Sequence, residues 1–134
     1  MDGPAPPKAP AFAGKLRLVK LPRRYGWALQ QPVVYRSALP GVGEIIVPAG
    51  HVTDLESAPR WLPVAFAVAY DQAPAAAVVH DWACEHPERF PRRMADALFF
   101  EAMTVLVVAP WRRWAMWAAV RSFGLVTCRP GAWR

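Results

Sequence analysis

The side chains best placed to do chemistry are His80 and Asp81, adjacent in Ala76-Ala77-Val78-Val79-His80-Asp81, and Asp96 further along the chain. An imidazole exchanges protons near neutral pH, and a carboxylate against one ring nitrogen fixes which nitrogen carries the proton. Such a pair can serve as a general base toward water. A second carboxylate beside it is a hard oxygen donor of the kind that holds a cation.

Two helices must position these groups. Residues 73–84 are apolar nearly all round, which predicts a buried helix. At helical spacing Ala73, Ala76, Ala77 and Cys84 share the stripe of His80, with Val78 and Trp82 opposite. A small-residue stripe lets a neighbouring helix approach closely, which sets the imidazole against protein rather than water. The connection is short, so the natural antiparallel neighbour is the helix predicted over 91–107. There Asp96 shares a side with Phe99, Phe100 and Met103. A carboxylate so placed is costly without a partner. His80 is one candidate, and Arg92 and Arg93 are others.

Each residue also has a structural explanation. His80 can be a core histidine bonded to a backbone carbonyl. Asp96 can sit in a local ion pair with Arg92 or Arg93, worth about 0.3 kcal/mol. Asp81 can be a solvated flank residue. The combination on two adjoining helices weighs evenly between a reactive site and a packing device.

Around these helices the pattern predicts an α+β fold: N-terminal antiparallel β-hairpins or a meander, then a C-terminal bundle of three main helices. Lys15-Leu16-Arg17-Leu18-Val19-Lys20 alternates, and Trp27, Val33, Val34 and Tyr35 follow between prolines and glycines. Gly41-Val42-Gly43 turns into Glu44-Ile45-Ile46-Val47. These read as three or four short strands. A loop, His51 to Pro59, precedes a short helix with Ser57 as N-cap, Pro59 in its first turn and Pro63 distorting it. The third main helix is predicted over 111–124. Residues 1–14 hold four of the fifteen prolines and read as a mobile arm; residues 15–134 read as one compact domain.

Composition narrows the classes further. Hydrophobic residues make up 54% and charged residues 19%, too apolar for a disordered chain. No apolar run approaches the ~18 residues of a membrane span. The first residues lack the apolar core of a secretory leader, so the expected compartment is the cytoplasm of the producing cell. The net charge of +6 is uneven, with basic ends flanking an acidic middle over residues 31–101. A uniformly basic nucleic-acid surface would look different, and nucleic acid is not the expected partner. Cys84 and Cys128 lack metal-site spacing and are expected to be reduced thiols.

The stretch Val47-Pro48-Ala49-Gly50-His51-Val52-Thr53-Asp54-Leu55-Glu56-Ser57-Ala58-Pro59-Arg60 resembles a segment of an uncharacterised phage and prophage domain family. So do Ala76 to Asp81, the Ala95-Asp96…Phe99 pattern and Ala119-Val120-Arg121-Ser122-Phe123-Gly124. The resemblance covers about residues 40–125 in order. It implies a phage or prophage origin among tail and lysis genes, other virion proteins as partners, and packaging in the virion as a further destination. More distantly, a His-Asp pair on one helix with an aspartate on the next resembles the core of secreted phospholipases. That resemblance implies His80 as base, Asp96 as its orienter, and Asp81 as a calcium ligand with Asp54 in the nearest counterpart of the calcium loop. Cys84 stands where those enzymes place a tyrosine, and no glycine-rich calcium loop is present.

Three other readings compete. The order His51…His80-Asp81…Asp96 is similar to metal-dependent phosphohydrolases, although the gap to the last aspartate is short. A non-enzymatic tail or virion component would use the same polar cluster only to fix helix packing. The segment Trp111-Arg112-Arg113-Trp114-Ala115-Met116-Trp117 is expected to be a core helix with snorkelling arginines at its edges. Contact of Trp111, Trp114 and Trp117 with a substrate or a membrane surface is the next choice, and base stacking the last.

Overall fold

The computed structural model describes residues 9–22, 27–53 and 74–127. Asp54, Ser57, Pro59, Pro63 and Cys128, with the expectations placed on them, lie outside the described residues. Among the described residues, six short strands precede three helices: β1 (Ala11–Ala13), β2 (Leu18–Lys20), β3 (Trp27–Leu29), β4 (Val33–Arg36), β5 (Glu44–Val47) and β6 (Val52–Thr53), then α1 (Pro74–Glu85), α2 (Arg92–Val105) and α3 (Pro110–Thr127). The α+β arrangement is as the pattern predicts.

The strands form two antiparallel sheets, ordered β1-β4-β5 and β2-β3-β6. In the first sheet Val33 pairs with Val47 and Tyr35 with Ile45. All four point into the core, while Glu44 and Ile46 face out, the alternation expected of a half-buried sheet. The strand count exceeds the three or four expected. β1 and β6 are too short to show periodicity, and pairing alone defines them. Residues 11–13 were expected in the mobile arm, yet they pair with β4 as β1. The Phe12 ring against Tyr35, 4.6 Å between centroids, supplies the apolar contact that holds them there.

The chain leaves β5 through Pro48-Ala49-Gly50-His51, where the His51 amide donates to the Pro48 carbonyl. Gly50 takes φ +88°, which a β-turn of this kind requires and which side chains disfavour. This turn fixes the entry of His51.

Proline marks the helix boundaries. Pro87 follows the end of α1, Pro91 precedes α2, and Pro110 is the first residue of α3, where its missing N–H costs nothing. α2 ends in a left-handed cap: the Val107 amide donates to Thr104 and the Val108 amide to Met103. Val107 carries the positive φ of 60° there. α1 packs on β5 and on α2, α2 also on β1, and α3 on α2. The core lies between the first sheet and the helices, with Tyr35, Ile45, Val47, Val78, Phe99 and Met103 buried.

Candidate functional site

The close approach of α1 and α2 follows from the small residues between them. Ala76, Ala77 and Ala83 on α1 and Ala95 and Ala102 on α2 are all buried. This brings His80 to Asp96: His80 Nε2 lies 2.9 Å from Asp96 Oδ1. Asp96 is 1% exposed and His80 9%. A carboxylate only accepts, so the proton on Nε2 donates to Asp96 and the ring's lone pair resides on Nδ1. No hydrogen-bond partner of Nδ1 lies among the described residues. The Phe99 ring lies against the imidazole at 5.0 Å between centroids and limits its rotation. The Cys84 sulfur is 3.6 Å from Nε2, beside the bond to Asp96 and not on the Nδ1 side.

The second oxygen of Asp96 is also engaged. Arg121 Nη1 on α3 donates to Oδ2 over 3.2 Å, and Arg92 Nε lies 3.9 Å from the same oxygen. Arg92 in turn donates to the backbone carbonyl of Arg121. Asp96 therefore joins all three helices. Arg92 was among the expected partners, while Arg93 is not one of those found. Arg121 was missed as a partner: nothing in local spacing links residues so far apart. The one hint was a C-terminal segment with five arginines and no acid.

The residues expected to bind a metal are not assembled with the pair. Asp81 is half-buried on α1, and Asp54 lies outside the described residues. Among the described residues, no three His, Cys, Asp or Glu side chains come together in a way that could hold a metal ion. Two guanidinium groups also stand beside Asp96 and repel a cation there. The described residues thus do not supply a calcium donor set. A cavity of about 240 Å³ lies between Phe12, Lys15, Leu16, Val33, Pro74 and Leu106, and neither His80 nor Asp96 lines it.

A second polar cluster was only half anticipated. His51 Nδ1 is 3.7 Å from Glu85 Oε2, and its ring meets Trp82 edge-on at 5.3 Å. His86 stacks on Trp82 at 3.9 Å and donates from Nδ1 to the Trp82 carbonyl. Burial, then the nearby His86, lowers the His51 pKa below its ordinary value. Burial raises that of Glu85. His51 belongs to this group at the end of α1, and among the described residues it makes no contact with Asp96.

A third cluster was not foreseen. Glu101 on α2 accepts from the Tyr35 hydroxyl at 2.6 Å, the Ser37 hydroxyl at 2.7 Å and the Ala38 amide at 3.2 Å. Burial, with the Glu101 carboxylate next, pushes the Tyr35 pKa far above its usual range.

On α3, Trp111 and Trp114 are 59% and 58% exposed. This corrects the expectation of a core helix. Met116 is buried, but Phe100 and Trp117 only flank the Trp114 ring, at 4.8 and 5.8 Å.

These features define an α+β domain with a carboxylate-oriented histidine buried between two helices. The chain belongs to the family described as Protein of unknown function (DUF1353), whose model matches residues 27–120. No curated protein and no solved structure matches it significantly.

Proposed function

We propose that this protein is a small phage-encoded hydrolase of lipid or related esters, with His80 as general base and Asp96 as the residue that orients it. The observation that carries this reading is the 2.9 Å contact between His80 Nε2 and Asp96 Oδ1, which places the ring's lone pair on Nδ1. In the reaction a water gives a proton to Nδ1 as its oxygen bonds to the ester carbonyl carbon. The tetrahedral intermediate then expels the alkoxide, which takes that proton back. Acid and alcohol leave, and the imidazole is neutral again. Asp96 balances the transient imidazolium. Asp81 and Asp54 are the residues that would hold a calcium ion under this reading. The phage origin and association with a tail or virion rest on the motif resemblance at residues 47–60, 76–81 and 119–124.

One observation favours the non-catalytic alternative, a virion or assembly component whose cluster only fixes helix packing. Arg121 and Arg92 hold the second oxygen of Asp96 and tie α3 to the pair. The deciding experiment measures ester and phospholipid hydrolysis by the full chain, with calcium and with chelator. His80→Ala should lower the rate by about 10²-fold or more while circular dichroism and melting stay close to the parent. No hydrolysis by the parent protein, or activity and folding lost together, would assign the cluster to packing.

A further inference from the structure

We propose that the outward face of α3 is a docking surface for an anionic lipid bilayer. The helix is turned inside out relative to its neighbour. On α2 the exposed positions are Arg93 and Thr104, as expected for a solvated face. On α3 the described exposed positions are Pro110, Trp111, Trp114, Ala115 and Ala118, of which the last four form an apolar stripe at helical spacing. Water is a poor neighbour for two indoles, and contiguous exposed apolar surface marks contact sites.

Val107, at the turn entering this helix, repeats the anomaly independently. It is 86% exposed and holds a φ of 60°, a conformation a β-branched residue rarely adopts. Glycine would relieve the strain, and within the described fold nothing buries the valine in return.

The charges at this face select the occupant. α3 has no acidic residue, and of its three arginines Arg121 is turned inward to Asp96, which leaves Arg112 and Arg113 nearest this face. The Arg112 guanidinium lies over the Trp111 ring at 5.1 Å, so a cation stands at the level of an exposed indole. Arg113 lies over Phe100 at 5.6 Å on the flank. Indoles with guanidinium groups alongside suit the headgroup layer, where rings enter the acyl boundary and cations meet phosphates. A second copy of the chain fits less well. A twofold contact through this face would bring the arginines of both copies together with no acid on α3 to pair with them. None of the described helices is long and apolar enough to cross a membrane, so the contact is a surface one. This inference stands apart from any catalytic role of His80.

The test is co-sedimentation of the full chain with phosphatidylglycerol-containing vesicles and with pure phosphatidylcholine vesicles. Wild type should bind the anionic vesicles, on the order of tenfold more tightly than the neutral ones, and less so in high salt. The double variant Trp111→Ser/Trp114→Ser, changed only at exposed positions, should fold normally and bind about tenfold or more weakly. Failure of the wild type to bind anionic vesicles, or equal binding by the double variant, would overturn the proposal. So would concentration-dependent self-association that the double variant abolishes, which would assign the face to a second copy.

Discussion

Asp96 and Glu101 leave the same helix toward different neighbours. Asp96 meets a titratable ring and two guanidinium groups, His80, Arg121 and Arg92, and ties α2 to α1 and α3. Glu101 meets two hydroxyls and a backbone amide, Tyr35, Ser37 and Ala38, and ties α2 to the sheet. Both satisfy a carboxylate that helix packing has drawn out of water. Only Asp96 does so by fixing the protonation of a potential base. The difference separates a contact that holds the fold from one that can also move a proton.

Removing Asp96 should have the larger effect on stability. Asp96→Ala leaves two cations and a histidine without their counter-charge, and denaturant unfolding should show a loss of about 3 kcal/mol. Tyr35→Phe removes one hydroxyl from Glu101 while Ser37 and Ala38 remain. Its loss should be about 1.5 kcal/mol. Equal losses would mean that both carboxylates are plain structural ties.

The smallest effect lies at the His51 cluster at the end of α1 and is read from pH. His51 has a lowered pKa in the folded chain. Below its ordinary value of 6.5 the unfolded chain therefore takes up a proton that the folded chain resists. The His51 contribution is fully present above 6.5 and is lost as pH falls from there through the lowered value. Glu85, with its raised pKa, acts in the opposite sense: its contribution is present below 4.5 and fades as pH rises through the raised value. Its side chain is 45% exposed, so screening keeps that term small. Melting curves of wild type and His51→Gln across this range should show a shallower acid-side slope in the variant. Parallel slopes would remove His51 as the titrating group.

Much of the fold was legible because it rests on local signals. The prolines at 87, 91 and 110 bracket the helices, and the β-branched and aromatic residues in 33–36 and 44–47, set between prolines and glycines, mark the paired core strands. The alanines around His80 were enough to expect the contact with α2. What escaped depends on distance along the chain. Arg121 reaches Asp96 only because α3 folds back on α2, and Tyr35 meets Glu101 only when the sheet packs against that helix. The outward placement of Trp111 and Trp114 was hidden for another reason. An almost wholly apolar helix carries no periodicity to say which side faces water.

The most direct test of the difference between the two carboxylates is the tautomer of His80. Long-range ¹H–¹⁵N correlation spectra of the folded protein at neutral pH report which ring nitrogen is protonated. The geometry predicts that the neutral ring carries its proton on Nε2 and its lone pair on Nδ1, with that preference lost in Asp96→Ala. A proton on Nδ1 in the wild type, or a tautomer indifferent to Asp96, would contradict it and leave the His80–Asp96 contact a matter of packing.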